Sequence, residues 1–379
     1  MGKFIFLLLV SFATPTFASD DQLLVGLDET SFFGPHGEEW HAQGPDSVLV
    51  LDAKNPAHPT IQARIPMINS VWGPPVNLQI TPDGHLGLVT EAVIPQRKAG
   101  GWIVTPGNLL HVIDMGTLKP LPDVTVGLMP QGLAIRHDGK LALVANRSGH
   151  SISVLRISGK TVTQLEEIPV GDETAAVAFV PHSSHAFFVK NLANTVGVLT
   201  INGEKVTYDP ALDIPAGFKP YNIAVTPDGK LALAISNSIP GNTAPVTVIA
   251  ATGPHPHVIQ NVDVGDGPEG FAMAPDGSSF AVALLHGGFT AYSHWAHHKN
   301  GGVVMLRVKD GHVELDPRET QVGEVPEGIA YSHDGQYVYV GDFNNRILHV
   351  LKVTAAGLSD TGTKITLPGH PGSIRGPAP

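Results

Sequence analysis

Cysteine is absent from this 379-residue chain. Disulfides, thiolate nucleophiles, cysteine-held metals, iron–sulfur clusters and c-type haem attachment are excluded with it. Basic runs are missing too. With 34 acidic residues against 23 basic ones the formal net charge is −11, so nucleic acid and anionic membranes are poor partners. The apolar segment at residues 4–12 is too short to cross a bilayer, and the chain is not expected to span a membrane. No Gly-x-Ser-x-Gly elbow, His-Glu-x-x-His pair, P-loop or dinucleotide fingerprint occurs. The chain therefore lacks the local signatures of serine hydrolases, zinc proteases, nucleotide hydrolases and nicotinamide enzymes.

Residues 1–18 read as a cleavable secretory leader, with Lys3 as its charged start, an apolar stretch, and the small-residue end Thr16-Phe17-Ala18. No cysteine follows it, so lipid anchoring there is excluded. The expected mature protein is a soluble periplasmic or secreted monomer, a single domain over residues 19–379.

What is present is one phrase repeated: apolar strand, Asp-Gly turn, apolar strand. It reads Ile80-Thr-Pro-Asp-Gly-His-Leu-Gly-Leu-Val89 and Ile135-Arg-His-Asp-Gly-Lys-Leu-Ala-Leu-Val144. It returns at Asp228-Gly229, Asp276-Gly277 and Asp334-Gly335, and in degenerate form at Ser183-Ser184, at spacings between 45 and 58 residues. Asp-Gly between alternating apolar runs is a tight-hairpin signal, because glycine tolerates the positive φ the turn needs. A period of this length built from strands alone predicts an all-β propeller with one four-stranded blade per repeat.

The chain ends set the blade count. Residues 20–28 supply a second strand that lacks its first, and Pro371-Gly-Ser-Ile-Arg-Gly376 supplies a first strand that lacks its second. The C-terminal strand is therefore expected to join the N-terminal blade. That closes a seven-bladed ring and leaves no exposed sheet edge at the seam.

The segments that follow each turn carry a resemblance. Leu88-Val-Thr-Glu91, Leu143-Val-Ala-Asn146, Phe188-Val-Lys-Asn191 and Tyr339-Val-Gly-Asp342 resemble the YVTN-repeat family of seven-bladed propellers, which is grouped with bacterial lactonase-like propellers. The resemblance covers nearly the whole mature chain and implies the propeller fold. Its relatives include lactone hydrolases, a muconate-lactonising branch and non-catalytic scaffolds, so it leaves the activity open.

Strand alternation places every Asp-Gly turn on one face. The other face collects the departures from the repeat: insertions at 31–45 in blade 1, 92–108 in blade 2 and 286–302 in blade 6, with a shorter one at 239–245 in blade 5. Loops on a rigid scaffold are where binding residues concentrate. All four tryptophans, Trp40, Trp72, Trp102 and Trp295, map here. They read either as pins for long loops or as an aromatic floor for a sugar or other flat ligand.

The first strands begin with Tyr221, Glu269 and Glu327 just after a proline, and the second strands end with Asp28, Glu91, Asn146 and Asp342. Glu269, Glu327, Asp342, Asp28 and Glu91 are expected to share one arc of the channel mouth, where a cation, a proton or water would relieve their repulsion. His41 in the blade 1 insertion and His286, His294 and His297 in the blade 6 insertion flank that arc. Asp28, Glu91, Asp342, His41 and His286 are thus candidate ligands for a divalent metal: zinc if imidazoles dominate, calcium or magnesium if oxygens do. No haem or nucleotide is expected. Arg147, Lys190 and Arg346 are the nearby cations and candidate ligand contacts, alongside Tyr221 and Asn146.

Two readings stay open. In the first, Glu327, Glu269, His294 and His297 serve acid–base or metal-assisted hydrolysis of a small lactone or sugar-acid ester, with Arg147 orienting the substrate. A lyase or isomerase would use the same groups. In the second, the tryptophan-bearing loops bind a glycan, a metal or an exported partner without turnover.

Overall fold

The structure is a computed structural model and describes residues 21–40, 44–70 and 72–378. The leader and His41 lie outside the described residues. Asp-Gly turns govern the architecture, and their geometry repeats from blade to blade. Gly84, Gly139, Gly229, Gly277 and Gly335 all take φ between 68° and 71°, where a Cβ would be strained. The preceding aspartates brace each turn as acceptors two residues on: Asp83 from the His85 N–H at 3.0 Å, Asp228 from Lys230 at 3.0 Å, Asp334 from Gln336 at 3.0 Å. In the degenerate turn His182 takes the positive φ (57°) and Ser183 Oγ accepts the His185 N–H at 3.2 Å.

Seven antiparallel sheets result, spanning residues 78–125, 130–169, 177–215, 220–266, 268–321 and 326–366 in blades 2 to 7. Blade 1 is assembled from both ends, in the order His370–Arg375, Gln22–Asp28, Ser47–Asp52, Thr60–Pro66. Val25 pairs with Ile374 and Leu24 with Arg375. The tail runs on into blade 2, where the Ala378 N–H donates to Ile80 O at 2.8 Å. On the outer side Tyr339 Oη donates to Pro56 O at 3.0 Å and joins blade 7 to blade 1. The core lies between blades. Leu23, Val25, Leu49 and Ile374 of blade 1 pack on Tyr339 and Val350 of blade 7, all nearly or fully buried, and burial of this kind supplies most of the driving force for closure.

Register corrects two expectations. Pro130, Pro220 and Pro326 pair with Asn146, Ser236 and Asp342, whereas Pro371 pairs with Leu27. Asp28 therefore stands one residue beyond the strand-end position. The blade 2 insertion is not a loop: Leu86–Lys98 and Gly101–Asp114 continue the blade's central hairpin outward, with Arg97 opposite Trp102. No helix among the described residues is long and apolar enough to cross a membrane.

Candidate functional site at the channel mouth

The proline that opens each inner strand sets the next side chain at the mouth of the axial channel. Tyr221, Glu269, Glu327 and Gly372 follow Pro220, Pro268, Pro326 and Pro371 in blades 5, 6, 7 and 1, and all four line one cavity of about 250 Å³. The insertions complete it. In blade 1 the segment after Asp28 folds as a hairpin, Ser31–Gly34 against Gly37–Trp40, whose cross-strand pair Phe33 and Glu38 both face the cavity. The blade 6 insertion adds Leu285 and Phe289, blade 7 adds Phe343, and Trp72 stands at the lip. The hairpin and the blade 6 insertion meet above blade 7. The Tyr292 N–H donates to Pro35 O at 3.1 Å, and Asn344 Nδ2 donates to Phe33 O at 2.9 Å. Phe33 and Phe343 lie edge to face, centroids 5.4 Å apart.

Burial in this aromatic enclosure is the largest influence on both channel carboxyls. It holds Glu327 well above the usual carboxylate range, with Glu269, Glu38 and Asp28 adding repulsion. Glu269 is pushed up to about 8: burial raises it and Glu38 adds to the rise, while the Tyr221 hydroxyl and the Arg147 guanidinium pull it back. Burial also raises the Tyr221 hydroxyl. Glu38 is pushed up to about 7, by burial and then by Asp28. It sits on the more exposed hairpin, where solvent screens it more than the channel pair.

Several expected site residues stand elsewhere or are engaged. Asp28 is buried and accepts from the N–H groups of Thr30 and Ser31 and from the hydroxyls of Ser31 and Ser70, between 2.7 and 3.1 Å. Asp342 accepts from the Glu324 N–H at 3.0 Å and from Asn345 Nδ2 at 2.9 Å. Glu91 lies 3.5 Å from His111, whose other nitrogen contacts Asp123 at 2.8 Å. His286 pairs with Glu319 at 2.9 Å. These candidate metal ligands do not converge, and among the described residues no group of three or more histidines, aspartates or glutamates is arranged to hold a metal ion. The expected five-carboxylate arc is thereby reduced to Glu269 and Glu327, joined by Glu38.

The remaining residues divide in the same way. Lys190 is bonded to Asp213 at 2.7 Å and Tyr208 at 2.9 Å, and Arg147 to Glu173 at 3.0 Å. Arg346 contacts His370 at 3.2 Å and Glu29 at 3.6 Å. Asn146 is fully buried and donates to Ser151 and Ser153. His294 and His297 lie in the blade 6 insertion away from the cavity wall, His294 accepting the Ala296 N–H at 3.2 Å and His297 beside Tyr292. Trp40 and Trp72 stand edge to face, 5.2 Å apart at 81°. Trp102 sits on the blade 2 hairpin, and Trp295 is 76 % exposed over Gly241.

Sequence reasoning noted Glu38 only as a neighbour of His41 in the blade 1 insertion, and it missed Phe289, Phe343 and Asp46. Asp46 is pushed up to about 8 by burial and then by Asp28, although the N–H groups of Glu29 and Asn69 donate to it at 2.8 and 3.2 Å. Its one signal was an acidic residue at the end of an insertion.

The chain matches no protein-family model and no curated protein. Among solved structures it is similar to a periplasmic gluconolactonase of Pseudomonas aeruginosa (TM-score 0.67, 19 % identity, 93 % of this chain and 98 % of that one). It is also similar to a protein of Bacteroides uniformis described as a 6-phosphogluconolactonase (TM-score 0.67, 16 % identity, 93 % and 99 %). Hydrazine synthase of Kuenenia stuttgartiensis shares the fold as well (TM-score 0.61, 19 % identity, 82 % and 91 %). At these identities the likeness is one of fold.

Proposed function

We propose that the chain is an exported hydrolase of small, uncharged lactones, acting by acid–base catalysis at the channel mouth. The observation that carries the reading is a pair of carboxyl groups in one cavity whose surroundings separate their proton affinities. Such pairs divide acid and base roles between them. Glu269, drawn back by Tyr221 and Arg147, ionises before Glu327. In this reading Glu269 takes a proton from water, the water oxygen bonds to the lactone carbonyl carbon, and the ring C–O bond breaks. Glu327 delivers its proton to the departing ring oxygen, and the product is the open hydroxy acid. The aromatic walls limit the water that reaches the pair. No step of this reading is routed through a metal ion.

The substrate is expected to be neutral because the cavity wall carries no lysine or arginine, and because Lys190 and Arg147 are already paired. The fold shared with a gluconolactonase, the YVTN-like repeats and the leader-like residues 1–18 support the same reading, including export to the periplasm.

The test is hydrolysis of glucono-δ-lactone and short aliphatic lactones by the mature chain and by Glu327→Gln. Removal of a general acid is expected to lower kcat/KM by about 10²–10⁴-fold while the melting temperature holds. Full activity in that variant would overturn the assignment. The edge-to-face Trp40–Trp72 pair at the lip also favours a second reading, binding without turnover. Saturable lactone binding with no hydrolysis would establish that one instead.

A further inference from the structure

Below the acidic mouth the channel changes character. The inner-strand residues at the next level are identified by their second-strand partners: Gln79 opposite Leu88, Ala134 opposite Leu143, Ala178 opposite Phe187, Ala224 opposite Leu233, Ala272 opposite Ala281 and Ala330 opposite Tyr339. In blade 1 the same place, opposite Leu24, is taken by Arg375. Five blades thus present a methyl group where one presents a guanidinium. Arg375 is three residues beyond Gly372 of the cavity wall, roughly 10 Å along the strand.

This arginine is poorly matched by protein. Of its five N–H donors, Nη1 donates to Leu133 O at 2.9 Å across the channel, and that is its one hydrogen bond among the described residues. No carboxylate there pairs with it. Burial alone lowers its pKa to about 10, with no opposing charge. It nevertheless keeps a partly accessible surface, as expected of a side chain facing an internal channel. At the same level in the neighbouring blade, Gln79 accepts the Ile135 N–H through Oε1 at 3.2 Å, and its Nε2 makes no hydrogen bond among the described residues. An enclosed guanidinium without a counter-charge is costly, and a flat fork of N–H groups suits a small oxyanion or halide.

We propose that Arg375, with Gln79 beside it, forms an anion site in the axial channel that takes one small monoanion, a halide or a short carboxylate. The alanines at this level carry no competing charge. A single cationic group facing methyls has no second charge to match a dianion. The site is separate from the lactone chemistry and does not depend on it.

The test follows the melting temperature of the mature chain as sodium Hepes, whose anion is far bulkier than a halide or formate, is exchanged for sodium bromide or sodium formate at constant ionic strength. A saturable rise of about 2–4 °C is expected from the mass-action effect of a ligand well above its Kd, and Arg375→Met is expected to remove it. A response to bromide alone assigns a halide, and a response to formate assigns a carboxylate. Crystals of the unaltered chain grown in bromide supply a measurement independent of the variant, with an anomalous peak expected in contact with the guanidinium. An unsaturable, merely linear salt effect, a shift retained in Arg375→Met, or a bromide-soaked channel without that peak would each overturn the site.

Discussion

Tyr221 and Glu269 line one cavity from the neighbouring inner strands of blades 5 and 6, and the Tyr221 hydroxyl draws the Glu269 carboxyl back against its burial. That neighbour, with the Arg147 guanidinium, favours the ionised form of Glu269, whereas no such group acts on Glu327, which is left as the harder acid of the pair. A hydroxyl in blade 5 and a guanidinium in blade 3 thereby favour the proton on Glu327 over Glu269.

The pH–rate profile is expected to follow from this neighbour. With Glu269 as base, kcat/KM rises with pH through an apparent value near 8, which belongs to the coupled pair. Tyr221→Phe removes the hydroxyl that favours the carboxylate, so the inflection is expected to move upward and the rate at pH 7 to fall by about tenfold. An unmoved inflection would separate Tyr221 from Glu269 in function.

Stability should decline as pH rises, the reverse of ordinary acid denaturation. Glu269 goes from about 4.5 to about 8 on folding and Asp46 from 3.8 to about 8. Both raise their proton affinity in the folded state, so their contribution is complete below about pH 4 and is lost as pH climbs through about 8. Glu29, lowered on folding, acts only at the acid end. Thermal melts between pH 5 and 9 should slope downward, and Asp46→Asn, which keeps one oxygen acceptor for the Glu29 N–H and loses the one that faces the Asn69 N–H, should flatten the slope. An equal slope in both proteins would show that Asp46 ionises freely.

Phosphorylated lactones are expected to be poor substrates. A phosphate entering a cavity lined by Glu38, Glu269 and Glu327 finds no wall cation to pair with, and it meets like charge when Glu269 ionises to act as base, which costs several kcal/mol. Initial rates with a neutral sugar lactone and its 6-phosphate should differ by about 10²-fold or more in kcat/KM, and equal rates would exclude a neutral-substrate site.

The tryptophans should separate into two pairs. Trp72→Ala and Trp40→Ala disturb the edge-to-face pair at the lip and are expected to weaken ligand binding by about tenfold. Trp102→Ala and Trp295→Ala, on the blade 2 hairpin and the exposed blade 6 insertion, should leave affinity unchanged. Calorimetry or tryptophan quenching with a non-hydrolysed lactam reads both.

Much of this was legible beforehand, for local reasons. The recurrence of Asp-Gly turns and the half-blades at the two ends predict a closed seven-bladed ring, and the proline before Tyr221, Glu269 and Glu327 places all three at the channel mouth. The strand-end carboxylates were not separable in the same way. A hydrogen-bonded cap such as that on Asp28, which involves Ser70 some forty residues on, leaves no local signature. The hairpin that carries Glu38 was legible only as an insertion, because its path depends on the blade 6 segment it meets.

Turn chemistry and periodicity act between near neighbours in the chain, so the sequence by itself determined the fold, the ring closure and the face on which the site lies. Desolvation and charge repulsion act between residues up to hundreds of positions apart. Only the tertiary structure therefore decided that Glu269 and Glu327 share a buried cavity, that Asp28, Glu91 and Asp342 are spent on internal bonds, and that Arg375 stands with Gln79 among alanines in the channel below.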